Sequence, residues 1–442
     1  MDNKIKVEEK LKREEIDFLK INLETCFNVI VKSNGVGEFD IKNDDKDKFL
    51  ETFSPWHKKE GKELIEKFVG IVNNTYSPDD FSWLDILDTD KQWMEPDDEE
   101  TKKEIKNKSK HVNMRYQIPT HFHGDIDKAV LFYCMENPRG YINDSEMDRW
   151  VKDQMSGKLT MNDYYKQTAE LRDEPWKDKT IKKIIEERYQ LNDVTTDSIE
   201  KIIYSDAKEV TPLRRELQNM FRENKEFFEK TYILMKNKKS KKPVLSDKYY
   251  YISRFYAQLL EINGGNLSKY NASEYKEEAK AEQAKAFKIS EKICNLEIYP
   301  FSSSDPKLKG IGKTILLNSD LSRLSAYIIL RRIYRYLNSP KENPKPIIVL
   351  RKYASAWEQL FVEIFKEVKE KDQSFDNRLV LSLLEKGFFY CQTGQQGGGI
   401  TTGNVISVLN FKTIDKKDSK LFDDTKMKDF NSIKSLLTNV KL

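Results

Sequence analysis

The sequence predicts an α/β fold with a mainly parallel central sheet and helices on both faces. Short apolar runs recur within 130–135, 292–306, 345–365 and 386–406. An amphipathic helical pattern separates the second run from the third, and each run leads into a polar loop or a helix. Apolar strands that alternate with helices are typical of parallel sheets covered on both faces.

The composition is that of a folded and highly charged chain. Of the 442 residues, 38% are hydrophobic and 34% are charged. We therefore expect a sizeable core beneath solvated helices, in two to three domains of roughly 100–200 residues or one domain with large additions. The net charge of +4 is too small to indicate nucleic-acid binding by itself, so any basic patch must be local.

The cysteines and the apolar runs exclude several classes of protein. No two of the four cysteines, Cys26, Cys134, Cys294 and Cys391, have CxxC spacing, so neither a zinc site nor a disulfide framework is expected. No apolar stretch approaches the ~20 residues that cross a bilayer, and the first residues, MDNKIKVEEKLKREE, lack an apolar signal core. We expect a cytoplasmic protein with buried thiols and no metal, cofactor or membrane contact.

The patterns divide the chain into five parts. We predict a helical N-terminal region (1–110), an α/β domain in two blocks (111–145 and 285–415), a helical insertion (146–284) and a C-terminal tail (416–442). The insertion is inferred because a charged, aromatic segment of that size would not remain an unstructured loop. In the N-terminal region, the first packed element is expected to bury Leu19, Ile21, Leu23 and Phe27.

One helix of the α/β domain is predicted from Asp320 to a stop at Asn338, Ser339 and Pro340. Its apolar face combines Leu321, Leu324, Ile328 and Leu337. Arg331, Arg332 and Arg335 are expected largely on its other faces. A following helix is expected to bury Trp357, Leu360, Phe361 and Ile364.

Each of the four predicted strands ends in unusual polar residues. These ends are Glu136-Asn137-Pro138, Pro300-Phe301-Ser302, Arg351-Lys352 and the stretch from Gln392 to Asn404. Ligands of open α/β sheets bind outside the carboxyl ends of the strands. We therefore expect a functional site there, although Asn-Pro is also a common turn dipeptide.

The order of these segments resembles the uracil-DNA glycosylase superfamily. The stretch IPTHFHGDIDKAVLFYCMENPRGY is most similar to the Asn-Pro branch of that superfamily. The resemblance implies a DNA-binding enzyme that hydrolyses the N-glycosidic bond of an extruded uracil-like or modified base. It implies that Asn137 holds the attacking water, that Pro138 rigidifies the loop and that Phe301 stacks on the base. The loop from Thr393 to Asn404 would enter the duplex where the base has left.

Residue chemistry adds candidates to those roles. Glu136 would act as a general base if burial raised its pKa. Arg351 would clamp a phosphate or pair with a structural acid, and the glycines at 397–399 permit close approach to phosphate. The predicted catalytic residues are Asn137 and Glu136. The predicted base- or DNA-binding residues are Pro138, Arg139, Phe301, Ser302, Arg351, Gln395, Gln396, Gly397, Gly398 and Asn404.

Two departures from the family pattern motivate an alternative. Arg139 stands where the family usually has glycine, and the final loop carries glutamines in place of a histidine. An uncharged amide stabilises a departing base anion less than a charged donor does. The alternative is a catalytically inactive module of this fold that senses modified or foreign DNA, for example in anti-phage defence. The helical insertion is a candidate for binding a protein partner.

Two further patterns allow both a functional and a structural interpretation. Lys236–Lys242 followed by Tyr249–Tyr256 would neutralise phosphates and stack bases, or form a solvated loop before a core helix. His121 and His123 would share one side of an extended segment and bind metal or phosphate, or serve no ligand at all.

Overall fold

A seven-stranded mixed sheet forms the centre of the molecule. The computed structural model describes residues 11–34, 37–73, 118–136, 181–207, 211–222, 235–236, 243–244, 251–262, 276–300, 317, 319–394 and 398–439. The strands of the sheet are β1 (Phe122–His123), β2 (Leu131–Met135), β3 (Tyr204–Ser205), β6 (Ile293–Glu297), β7 (Ile347–Leu350), β8 (Phe389–Gln392) and β9 (Val405–Ser407). β4 (Met235–Lys236) and β5 (Pro243–Val244) form a separate antiparallel pair.

The strand order is β3-β1-β6-β2-β7-β8-β9. The four consecutive strands β6, β2, β7 and β8 are parallel to one another. β1 pairs antiparallel with β6, and β9 pairs antiparallel with β8. The prediction of an α/β fold with a mainly parallel sheet is therefore confirmed.

Helices cover both faces of the sheet. They are α1 (Arg13–Asn34), α2 (Lys46–Phe53), α3 (Lys59–Val72), α4 (Ile181–Tyr189), α5 (Thr196–Ile203), α6 (Pro212–Arg222), α7 (Ala257–Leu260), α8 (Lys276–Ser290), α9 (Asp320–Asn338), α10 (Trp357–Lys371), α11 (Asn377–Gly387), α12 (Val408–Thr413) and α13 (Ser419–Asn439). A π-helical turn (Ile252–Tyr256) leads directly into α7.

β2 has no polar face because both of its sides are covered. All five of its residues are buried. Phe132 and Cys134 pack in one core with α1, α9, α10 and α11. Tyr133 and Met135 pack in a second core with α6, α7, α8 and α13. This double burial explains the nearly continuous apolar run in the sequence.

The N-terminal helix α1 belongs to the first of these cores. Leu19, Leu23 and Phe27 are fully buried there, as predicted. Ile21 is 64% exposed, so its predicted burial is wrong. Two residues after Leu19 the helix has turned by about 200°, and the side chain therefore points to solvent.

The second face is covered by helices from the central part of the chain. α6, the π-helical turn and α7 contribute Leu217, Tyr256 and Leu259 to the core beneath the sheet. The predicted core position of the segment after the lysine-rich stretch is thereby confirmed for Ile252, Phe255 and Tyr256. The predicted domain limits themselves remain a prediction.

The arginines of α9 correct one expectation. Arg331 and Arg332 are 1% and 0% exposed, whereas the sequence analysis places them away from the buried face. The helix contacts β6 on one side, through Ser325, and α1 on another, where Tyr334 donates to Glu24. Arg331 and Arg332 follow Ile328 by three and four residues, so they share its buried side of the helix. They reach Asp127 and Ala129, which lie just before β2.

Polar partners make that burial tolerable. Arg331 pairs with the carboxylate of Asp127, and Arg332 Nε donates to the carbonyl of Ala129 at 3.2 Å. Burial lowers the pKa of Arg332 to about 10. The predicted core residues of α9 and α10 are buried, and so are all four cysteines. Among the described helices, none combines the length and apolarity that crossing a bilayer requires.

Candidate functional site at the carboxyl edge of the sheet

The carboxyl ends of the central strands meet at one edge of the sheet. The amide of Tyr299 donates to the carbonyl of Glu136 at 2.9 Å, which joins the segments that follow β6 and β2. The amide of Arg351 donates to the carbonyl of Cys134 at 2.9 Å, which joins β7 to β2. Three of the four polar strand ends are therefore immediate neighbours.

The topology opens a crevice at this edge between β2 and β7. β2 comes first in the chain among the four parallel strands, followed by β6, β7 and β8. Across the sheet they lie in the order β6, β2, β7, β8. The chain leaves β2 toward β6 on one side, and it leaves β7 toward β8 on the other. Ligands of doubly wound sheets bind where the connections diverge in this way. Glu136 follows β2 and Arg351 follows β7, so these two residues border that crevice.

Glu136 and Lys352 form an ion pair across the crevice. The ammonium Nζ of Lys352 lies 2.8 Å from Glu136 Oε1, although this contact lacks the angles of a hydrogen bond. The carboxylate is 6% exposed, whereas the lysine side chain is 38% exposed. Lys352 therefore balances a buried charge and also meets the solvent.

The backbone of Lys352 is held in an uncommon conformation. Its φ of 45° and ψ of 48° are left-handed, which is unfavourable for a residue with a side chain. The turn is closed by its carbonyl, which accepts from the amides of Ser355 and Ala356 at 3.1 and 3.0 Å. Such strain is concentrated at functional sites, where the surrounding structure maintains it.

Glu297, the last residue of β6, adds a second buried carboxyl group to this edge. It is 5% exposed, and its Oε2 has no hydrogen-bond partner among the described residues. Burial raises the pKa of Glu297 well above its usual value; the charge of Arg351 opposes this shift and that of Glu136 adds to it. The sequence analysis did not select this residue. Its signal was an acid within the otherwise apolar run ICNLEI.

Arg351 lies on the sheet face that the π-helical turn covers. Its guanidinium carbon is 5.9 Å from the ring centroid of Phe255, and its charge acts on Glu297. This electrostatic interaction favours the alternative interpretation of Arg351, in which it balances a structural acid. Pairing within the protein does not prevent a guanidinium from also binding a ligand anion, because it carries five N–H donors.

Two sets of polar contacts lie on the sheet face that the π-helical turn covers. Gln392 Nε2 donates to the hydroxyl of Tyr133 at 3.0 Å and to the carbonyl of Gly398 at 2.6 Å. On the same face, the hydroxyl of Tyr256 donates to the side-chain oxygen of Asn295. These contacts fix the last parallel strand, the final loop and the π-helical turn relative to each other.

The described part of the final loop makes contacts within the protein. Asn404 accepts from the amide of Gly394 at 2.7 Å and donates to the carbonyl of Gly399 at 3.0 Å. The carbonyl of Gly398 accepts a hydrogen bond from Gln392 Nε2. At Gly399, a Cβ atom would lie 2.3 Å from the carbonyl oxygen of Arg254. The close approach that this glycine permits is therefore to protein backbone.

Most of the residues predicted for this site lie outside the described residues. They are Asn137, Pro138, Arg139, Phe301, Ser302, Gln395, Gln396 and Gly397. The described residues next to them, Glu136 and Pro300, lie at the same edge, where the carbonyl of Pro300 accepts from Thr120 N at 3.0 Å. A single pocket shared by Asn137 and Phe301 remains a prediction.

The upstream histidines have structural partners. His121 Nε2 donates to the carbonyl of Leu321 at 2.9 Å, and His123 Nε2 donates to the carbonyl of Ile202 at 2.6 Å. Burial lowers the pKa of each ring to about 3. In the part of the chain that the structure describes, no group of three or more His, Cys, Asp or Glu side chains could hold a metal ion.

The described edge thus combines two buried carboxyl groups with two cations. Glu136 is suited to accept a proton from water, and Glu297 is suited to donate one. Arg351 and Lys352 are suited to stabilise negative charge on a ligand. Comparison of the chain with protein-family models, with curated proteins and with solved structures finds no match.

Proposed function

We propose that this chain binds DNA and hydrolyses the N-glycosidic bond of an extruded uracil-like or modified base. The observation that carries the proposal is the position of Glu136 at the end of β2. There the connections that leave β2 and β7 run to opposite sides of the sheet. Asn137, which the family resemblance selects as the residue that holds water, follows Glu136 directly in the chain. The ligand position expected from topology and the one expected from sequence therefore coincide.

The charges of the edge support a reaction of this type. Cleavage of an N-glycosidic bond develops positive charge on the sugar and negative charge on the base. A carboxylate such as Glu136 stabilises the former and can take a proton from the attacking water. The cations Arg351 and Lys352 stabilise the latter or bind a neighbouring phosphate.

Release of free base from oligonucleotides tests the proposal. Single- and double-stranded substrates that carry uracil or a modified base are incubated with the wild-type chain and with Asn137→Ala. We expect release by the wild type and a loss of about 100-fold or more in the variant, because positioning of the nucleophile is removed. Asn431→Ala, at an exposed position on α13, is the matched control. Equal release by wild type and Asn137→Ala would remove Asn137 from the mechanism.

The second candidate is a module that binds DNA without cleaving it. It is favoured by Gln392, at the start of the final loop. The family resemblance implies a histidine in this loop that can carry charge, whereas the uncharged amide of Gln392 donates to the hydroxyl of Tyr133 and the carbonyl of Gly398. This candidate predicts binding that weakens steeply as salt rises, with no base released from any substrate. Binding of a protein partner through the helical insertion remains a separate prediction.

A further inference from the structure

We infer that Glu297 is the proton donor of this site and passes its carboxyl proton to the base as the glycosidic bond breaks. The inference rests on the proposed function and adds a catalytic residue to it. Neither the family resemblance nor the strand-end pattern selects Glu297. Its position, its surroundings and its unsatisfied oxygen select it.

The position of Glu297 is set by strand register. It ends β6 and pairs with Met135, one residue before Glu136. Along β6 the side chains alternate between the two faces, so Glu297 shares its face with Ile293. Arg351, two residues beyond Val349, lies on that face as well. A ligand in the crevice beside β2 is therefore within reach of both side chains.

The surroundings disfavour the charged form of the carboxyl group. It is 5% exposed, and removal from water disfavours the charged form. The charged and titratable groups on the elements packed around it are Glu136 and Cys134 on β2, Arg351 on β7, His121 beside β1, and Tyr256 in the π-helical turn. Of these, Arg351 alone favours ionisation of Glu297, and burial outweighs it.

The two carboxyl groups have different environments, which is the arrangement that separates an acid from a base. Glu136 has the ammonium of Lys352 at 2.8 Å. Glu297 has an oxygen, Oε2, without a hydrogen-bond partner among the described residues. A buried polar atom without a partner is unfavourable, and a hydrogen bond to a ligand would satisfy it.

The proton transfers of the reaction balance between these groups. The bond between the sugar carbon C1′ and the base nitrogen breaks, and its electron pair stays with the base. The base takes the proton of Glu297. Water forms the new bond to C1′ and gives its proton to Glu136. Transfer of that proton from Glu136 to Glu297, directly or through solvent, restores the starting state, so that free base and an abasic sugar are the products.

The test compares two leaving groups in one protein sample. Single-turnover release of uracil and of 5-fluorouracil is measured for wild type and for Glu297→Gln. Fluorine stabilises the base anion, so fluorouracil depends less on a proton donor. We expect Glu297→Gln to release uracil about 100-fold or more slowly and fluorouracil with a much smaller loss. The ratio of the two rates does not depend on how much of the variant is folded.

A matched control and a pH profile complete the test. Glu385→Gln replaces another buried glutamate, which accepts from Lys412 and from Tyr353, a residue of the core on the opposite sheet face from Glu297. Its leaving-group ratio should equal that of the wild type. Uracil release by the wild type should decrease as the pH rises and Glu297 loses its proton, and this decrease should be absent in Glu297→Gln.

The outcomes separate this inference from the proposed function. If wild type releases both bases and Glu297→Gln keeps the wild-type ratio, Glu297 is not the donor and the proposed function stands. If wild type binds DNA and releases neither base, the proposed function and this inference both fail. The inference is supported if the ratio of the fluorouracil release rate to the uracil release rate rises in Glu297→Gln and stays at the wild-type value in Glu385→Gln.

Discussion

Acid should destabilise this protein through its buried histidines, and the size of the effect follows from the structure. His121 and His123 are 0% and 2% exposed. Burial lowers the pKa of each to about 3, with further repulsion from His57 at His121 and from Arg215 at His123. Each ring therefore binds a proton in the unfolded chain at a pH where the folded chain excludes it.

The sign follows from that difference in proton binding. The contribution of each buried, neutral histidine to the free energy of unfolding is complete above the pKa of the unfolded chain, about 6.5. It decreases as the pH falls from there toward about 3, by about 1.4 kcal/mol per pH unit for each histidine. At about pH 5.5 the pair has therefore removed roughly 3 kcal/mol from the free energy of unfolding. Small domains have only about 5–15 kcal/mol in total.

The assay is denaturant unfolding at about pH 7.5 and about pH 5.5, for wild type and for the double variant His121→Gln/His123→Gln. A glutamine amide can donate to the same carbonyl groups and does not titrate in this range. We expect the variant to lose roughly 3 kcal/mol less than wild type between the two pH values. Glu297 changes the free energy of unfolding with pH in the opposite direction. Because Glu297 is present in both proteins, its contribution cancels when their pH dependences are compared. An identical pH dependence of both proteins would refute the reasoning.

Two stability predictions concern other parts of the fold. Asp127→Asn should lower the free energy of unfolding by about 3 kcal/mol, because it leaves the guanidinium of Arg331 buried without its counter-charge. Denaturant unfolding measures this change. A decrease of less than about 0.5 kcal/mol would contradict the prediction. Gly399→Ala should destabilise the protein and detach the final loop, since its Cβ would lie 2.6 Å from the Cα of Phe255. Gly403→Ala, where no atom lies within 4 Å of the added Cβ, is the control. Hydrogen exchange of the loop amides should rise in Gly399→Ala and not in Gly403→Ala.

Local patterns in the sequence determined the four parallel strands β2, β6, β7 and β8 and the helices α9 and α10. The apolar runs became β2, β6, β7 and β8, and the helix predicted from Asp320 to Asn338 has those bounds. The burial of Trp357 and of the four cysteines also followed from sequence. Such features depend on residues a few positions apart, through the periods of helix and strand, so one sequence suffices to find them.

The tertiary structure decided which strand ends meet and which charges become buried. Strand order brings Glu297, Glu136 and Arg351 together although they lie far apart in the chain, and no local period encodes that order. The same holds for Arg331 and Arg332: helical periodicity identifies the apolar residues of α9, but only the folded chain shows that Asp127 and the carbonyl of Ala129 contact these buried arginines. Burial depends on what covers a surface, and the covering segments come from distant parts of the chain.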